Sequence, residues 1–357
     1  MSAPNSDSLI SEKLFRGNIF IFQAFDVGDD INLEKLKLSG DIIPKIVLLS
    51  KYFKNYHTPL AIELPEQQKY ISAKIHNFGA ISLTYKIPFY DTLDNIRKNL
   101  EALDNEYELQ GIIDAEVIFK KSKKYITKSN FFHTRSSYVV IQLYPDPKLD
   151  TVTLKDNYGS VIASTLRFET QTLSEYQKNE ILASAFGYFR GDLIVIDTEA
   201  ACIYDDEYEE TLDFFEFANI QHLELRYFDR VLDQQLNNFY EGKVRKVPIS
   251  GYLPVLGTLA KGPIDELSKL KVDISVITER LEGSIKIAGE PFYSELYALL
   301  IEKRDLKNLK ESIDKKLGIL NDVLSVLQQK IDAIREDMLT VSIILLIFLE
   351  LIIALFR

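Results

Sequence analysis

The chain has 357 residues, 46% hydrophobic and 27% charged, enough to bury a substantial core and too apolar to be a disordered tail. Its 53 acidic residues against 42 basic ones give a formal net charge of −11, which offers phosphates no positive field and excludes nucleic acid as an expected partner. One cysteine, Cys202, cannot form an internal disulfide, so the bulk of the chain is expected in a reducing compartment, the cytoplasm.

Residues 1–17 lack the apolar core of a secretory signal and carry Asp7 and Glu12, which also argues against a mitochondrial presequence; they read as a flexible N-terminus. From Asn18 to about Tyr204, short β-like runs alternate with polar punctuation, beginning with NIFIFQAFDVGDDINL at 18–33. Further strands are predicted at Tyr70–Ile75, Gly79–Tyr85, Tyr138–Leu143, Ser160–Phe168 and Asp192–Tyr204, with a turn at Pro145-Asp146-Pro147. Helical spacing appears at Leu33–Tyr52, Thr92–Tyr107 and Ser174–Phe186. The mixture predicts an α+β cytoplasmic domain over 18–240.

Between Tyr204 and Tyr240, the positions Phe214, Phe217, Ile220 or Leu225, Phe228, Leu232, Leu236 and Phe239 recur at helical spacing and predict one long amphipathic helix. Its opening is acidic, with Asp205, Asp206, Glu207, Glu209 and Glu210, which suits the positive end of a helix dipole. The sharper reading is a polar site in which Asp205, Asp206 and Glu209 meet His222, in the same helix beside Glu224 and Arg226. Residues 241–263 hold several Gly and Pro and read as a linker.

After Pro263, apolar residues from Ile264 to Leu299 recur at steps of three and four, predicting a long helix kinked at Gly289-Glu290-Pro291. The polar run Glu302-Lys303-Arg304-Asp305 marks a turn near 302–306, with Asp305 as a possible N-cap. From Ile313, the series Leu317, Leu320, Leu324, Leu327, Ile331, Ile334 and Met338 alternates steps of four and three, the coiled-coil period. At 1.5 Å per residue the two arms are about 57 and 48 Å long, matched for an antiparallel hairpin over 264–338; a parallel dimer through the second arm is the competing use of the stripe.

Leu339 to Phe356 reads LTVSIILLIFLELIIALF and spans about 27 Å, close to one hydrocarbon core. It is read as a single transmembrane anchor at the C-terminus, leaving the bulk of the chain in the cytoplasm; in a bacterium the membrane would be the inner one. Glu350 is the one ionisable residue inside the span, which invites a partner reading; the ordinary alternative is a protonated side chain reaching toward the far headgroups. On the heptad frame, Val341, Leu345, Phe348 and Ile352 form a seam on the side of the helix away from Glu350.

Four dispersed histidines, His57, His76, His133 and His222, with one cysteine, give no metal-ligand spacing, and no catalytic, cofactor or metal residues are assigned. His133 lies near Ser136 and Ser137, but adjacency in sequence does not define a triad. Gly251 to Gly257 lacks the Lys-Ser/Thr ending of a phosphate loop. The aromatic residues are read as core.

The segments LIVIDTEAACIYD (193–205), FEFANIQHLELRYFDRVLD (215–233), ITERLEGSIKIAGEPFYSELYALL (277–300) and the terminal LLIFLELIIALF resemble bacterial relatives of the Rmd-type family (required for meiotic nuclear division). That family has a variable N-terminal part and a C-terminal membrane segment containing a glutamate. The resemblance covers about residues 190–357 and implies association with a membrane, organellar in eukaryotic members, whose mitochondrial representatives support translation of membrane proteins. It implies no catalytic residues. Pro291 and Thr340 depart from its pattern.

These features predict a tail-anchored membrane scaffold or assembly factor without catalytic activity, with a protein partner or a second copy of itself. Two alternatives remain: a membrane-surface enzyme using the acidic cluster 205–210 with His222, and a subunit of a larger membrane complex pairing through Glu350.

Overall fold

The computed structural model describes residues 13–45, 58–63, 68–131, 135–241, 263–283 and 290–356. Strand β1 (Leu14–Asp26) begins before the expected start at Asn18 and is apolar on both faces. Phe15, Ile19, Ile21 and Phe25 enter one core, and Phe20 and Phe22 the other. Two buried faces place β1 in the interior of a sheet. It pairs antiparallel with β5 (Ala80–Thr92) from Leu14↔Thr92 to Asp26↔Ala80, and with β6 (Arg135–Leu143) from Gly17↔Leu143 to Phe25↔Arg135.

Around these three lie β2 (Pro44–Lys45), β3 (Leu60–Ile62), β4 (Tyr70–Ile75), β7 (Leu193–Ile196) and β8 (Ala200–Tyr204), in the order β2-β3-β4-β5-β1-β6-β8-β7. Every pairing is antiparallel except β6 with β8, which needs a crossover. The short helix α1 (Leu33–Leu38) follows β1. One face of the sheet is covered by α2 (Leu93–Ser122), α3 (Thr151–Leu166) and α4 (Glu175–Leu182). The other is covered by the first part of α5 (Glu209–Tyr240) and by α7 (Pro291–Lys303), through Phe214, Phe215, Phe217, Leu296 and Leu300.

Local chemistry explains where these helices start. The side chains of Thr92, Asp150 and Ser174 accept hydrogen bonds from the backbone N–H of Asn95 (3.2 Å), Thr153 (2.7 Å) and Gln177 (3.4 Å), N-capping α2, α3 and α4. The strand expected at Ser160–Phe168 is instead the end of α3. Its β-branched residues look strand-like, but the buried line Leu154, Tyr158, Ile162 and Leu166 has the four-residue step of a helix already started by Asp150. The helix expected at Leu33–Tyr52 stops at Leu38, before Gly40 at φ +74° and β2; residues 46–57 lie outside the described part. The helix expected to end at Tyr107 runs on to Ser122.

The chain divides into two compact units, residues 1–226 with 280–308, and residues 227–279 with 309–357. The first holds the sheet and its covering helices. The second holds the end of α5, helix α6 (Pro263–Gly283) up to Glu279, and most of α8 (Leu306–Leu355). It buries Phe228, Leu232 and Leu236 of α5, Leu267 and Ile274 of α6, and Ile313, Leu320 and Ile331 of α8. Lys316 Nζ bonds the carboxylates of Asp229 and Asp233, each at 2.7 Å, and Lys271 Nζ donates to Asn321 Oδ1 at 2.7 Å. Three helices therefore share the apolar stripe predicted for two.

The first predicted arm, 264–301, is not one kinked helix. Pro291 is the first residue of α7, where a missing N–H is harmless, and α7 packs in the sheet-containing unit while α6 lies mostly in the helical one. The predicted turn at 302–306 is present, with Asp305 at φ +56°, a conformation Asp tolerates. Helix α8 then continues without a break for 50 residues, about 75 Å. From Leu339 onward the side chains are exposed, the large apolar ones from 40% at Ile352 to 87% at Phe356, and the most apolar 18-residue window of α8 has a mean hydropathy of 2.8 with none of it buried. It is long and apolar enough to cross a membrane.

Candidate functional site

Within the sheet-containing unit, the side of α5 that faces the sheet is unusually polar. Glu216, Asn219, Gln221 and Glu224 are all buried, and alternate positions on the strands beneath supply Lys74, His76, Ser82, Asp26 and Ser136. Alternation along a strand puts Lys74 and His76 on one face together. Three clusters result.

In the first, Lys74 Nζ donates to Glu216 Oε2 at 2.5 Å, Ser82 Oγ donates to Glu216 Oε1 at 2.8 Å, and His76 Nε2 lies 3.0 Å from Ser82 Oγ. Burial alone would raise the Glu216 carboxyl, but the Lys74 charge and the two hydrogen bonds hold it below its ordinary value. Burial lowers His76 to about 3, so it is neutral at physiological pH. The second cluster is built around Arg304, only 5% exposed, in the turn after α7. Its Nη2 donates to His222 Nδ1 (2.7 Å), Ser136 Oγ (2.8 Å) and Asn219 Oδ1 (3.0 Å), and its Nη1 to the carbonyl of Thr198 (3.1 Å). The guanidinium also stacks on Tyr138, 5.1 Å from the ring centre. In the third, Glu224, 2% exposed, is pushed well up by burial and by the charge of Asp26, whose Oδ1 accepts from Gly28 N at 3.0 Å.

Ser136 Oγ lies 2.8 Å from His222 Nδ1, the separation of a nucleophile and its base. The electrostatics run the other way. Arg304 donates to the same Nδ1, and burial with the charges of Arg304 and Arg226 holds the imidazole down to about 2. A ring that resists protonation this strongly makes a poor general base near neutral pH. Its role here is that of a neutral acceptor in a clamp joining β6, α5 and the turn after α7.

The residues singled out from sequence fall as follows. Asp205 is half-buried, and its carboxylate accepts from Glu207 N at 3.1 Å; Asp206 and Glu209 are exposed, and Glu210 accepts from the Tyr293 hydroxyl at 2.9 Å. From Glu209 to His222 the rise of the helix is about 20 Å, so the acidic opening and the histidine do not converge. Leu320 and Ile331 are buried, Leu317, Leu324 and Leu327 half-buried, and Ile334 exposed. Glu350 is exposed and has no hydrogen bond or ion pair among the described residues. His57, His133 and Gly251–Gly257 lie outside the described residues, and among those described no group of three or more His, Cys, Asp or Glu could hold a metal.

Sequence reasoning missed Lys74, Ser82, Glu216, Asn219 and Arg304. The available signal was Lys74 in a predicted strand with His76 just beyond its end, two residues on, together with Glu216 and Asn219 one turn apart on a helix that has to bury its apolar side.

The family described as "Uncharacterized protein MJ0711, N-terminal domain" matches residues 16–210, which covers the sheet from the third residue of β1 onward and the first two residues of α5. A relative, "Uncharacterized protein MJ0711" of Methanocaldococcus jannaschii, is 28% identical over 244 residues, covering 67% of this chain and 72% of that protein. No solved structure matches. The relative is archaeal, and neither match supports the Rmd-type resemblance or a bacterial affiliation. With more than half of its residues inside the match, the chain belongs to the family of the MJ0711 N-terminal domain.

Proposed function

We propose that this protein is a non-enzymatic scaffold or assembly factor, anchored in a membrane by the end of α8 and holding its α+β unit in the cytoplasm. One observation carries the reading: an unbroken helix whose first part packs in a three-helix unit and whose last part, from Leu339, exposes only apolar side chains apart from Thr340, Ser342 and Glu350. Fourteen strong hydrophobes at about −0.3 to −0.6 kcal/mol each outweigh one carboxylate at about +2.5 to +3.5 kcal/mol, so insertion is favoured. The absence of a catalytic role is supported by the buried titratable groups, several of which are satisfied by one another. Alkaline carbonate extraction of membranes, followed by protease treatment of sealed vesicles, tests the reading. The full-length chain should stay with the bilayer, and a variant lacking 339–357 should not. Release of the full-length chain by carbonate overturns the proposal.

A further inference from the structure

Glu350 marks a face of α8, and that face has a definite composition. At 100° per residue, Asp332, Glu336, Ile343, Leu346, Glu350 and Ala354 fall within about 40° of one line along the helix. The buried residues Ile313, Leu320 and Ile331 lie about a quarter-turn or more away, so the chain's own helices cover a different side. Asp332, Glu336 and Glu350 are all exposed; Asp332 has Arg335 3.6 Å away and Gln328 3.3 Å away, while Glu350 has no partner among the described residues.

On the membrane reading, this line has an acidic cytoplasmic stretch and, about 16 Å beyond Leu339, a carboxyl inside the hydrocarbon. An ionisable group at that depth is stabilised by a hydrogen-bond donor from protein, because lipid tails have none. Among the described residues, α8 is the one helix able to span and none donates to Glu350, which leaves that place to another polypeptide. A second copy fits poorly. Copies of one anchored chain lie parallel at equal depth, and packing them on this face would set the charged Asp332 against Asp332 and Glu336 against Glu336 in the cytoplasmic stretch.

We infer that this face docks a transmembrane helix of a different protein, one with a Lys or Arg at the depth of Glu350 and basic residues in its cytoplasmic flank opposite Asp332 and Glu336. Ala354, one turn beyond Glu350, lets the two backbones approach where the ion pair forms. The inference rests on the anchored reading and adds the chemistry of the partner.

The test reconstitutes the fluorescently labelled full-length chain in phosphatidylcholine vesicles with acceptor-labelled polyleucine helices. One host carries a single Lys at the matching depth and a basic flank; a second has the basic flank alone; a third is leucine with a neutral flank. Energy transfer should show the Lys host binding about tenfold more tightly than the leucine host. Glu350→Leu should abolish the excess due to the Lys, and Asp332→Asn with Glu336→Gln the salt-sensitive part due to the flank. Equal transfer to all three hosts, or an unchanged Lys preference in Glu350→Leu, overturns the inference. So does chain-to-chain transfer that depends on Glu350 without any Lys preference, which would make the occupant a second copy. Carbonate retention is read on the same vesicles: an inserted chain without Lys preference defeats this inference alone, whereas a chain that washes off defeats the anchor as well.

Discussion

Replacing Arg304 with Ala should loosen α7 from the sheet. The guanidinium makes four hydrogen bonds, to His222, Ser136, Asn219 and Thr198, and stacks on Tyr138. Bonds from a charged donor contribute about 1.5–3 kcal/mol each, but two terms offset part of the loss. Burial already strains the cation, lowering its pKa to about 10, and that cost disappears with the side chain. Ser136 Oγ also keeps its bond to Asn219 Oδ1 at 2.7 Å. The net destabilisation should be about 2–4 kcal/mol. Amide exchange of the full-length chain in detergent is the direct assay. Protection should fall first in α7, residues 291–303, while the β1–β5 ladder keeps its protection until global opening. Arg304→Lys retains the charge without the planar fork and should recover less than half of the loss. Removing the positive charge should also raise the His222 pKa from about 2, readable by NMR titration of the ring. A cost below about 1 kcal/mol together with an unmoved His222 would refute the clamp.

Three further outcomes follow from the buried groups. His76 and His222, held down to about 3 and about 2, stay neutral in the fold while the unfolded chain takes up protons below about pH 6.5; stability should fall with pH by up to about 1.4 kcal/mol per unit for each histidine, and His76→Gln or His222→Gln should remove its share of the slope in acid unfolding. Glu224, pushed above its ordinary 4.5, binds a proton in the fold that the unfolded chain has released, so stability should decline as pH rises above that value; Glu224→Gln should flatten that decline in unfolding curves taken upward from about pH 4.5. At Gly111 an added Cβ would lie 1.6 Å from Gln23 Oε1, so Gly111→Ala should cost about 1–3 kcal/mol by denaturant titration, and much less in a Gln23→Ala background.

Most of the architecture could be read from periodicity. Alternation with β-branched and aromatic residues located β4, most of β1 and β6 and the first half of β5, and helical spacing located α5 and the run of α8. The segment at 160–168 was misread because its Val, Ile and Thr favour strands locally, while its actual state is set upstream by Asp150 and by the helical burial of Leu154 and Tyr158. The buried polar clusters were less legible. Arg304 looked like an ordinary turn residue, and its acceptors Ser136, Thr198, Asn219 and His222 come from elsewhere in the sequence, so only the tertiary fold brings them together. A charge in a turn carries no sign that it will be buried.

The polar side of α5 contributes to the register of the helix alongside its apolar side. Sliding α5 by one turn, about 5.4 Å, would present Ile220 and Leu223 where Glu216 and Asn219 now stand. The same slide would put Ala218, Asn219 and Gln221 where the buried Phe214, Phe215 and Phe217 now stand, so the apolar side resists it as well. Lys74 would also lose the carboxylate 2.5 Å away and stay buried at a cost of about 3–5 kcal/mol, and Arg304 would lose Asn219. The buried ions add to a register that the apolar side also favours, and substitution separates that role from stability. Lys74→Met or Glu216→Leu alone should destabilise by about 3–5 kcal/mol, because each orphans its partner. The double variant should return close to the parent stability while showing more than one set of amide resonances for α5. A double variant as unstable as either single one, or as uniform as the parent, would show that the pair does not select the register.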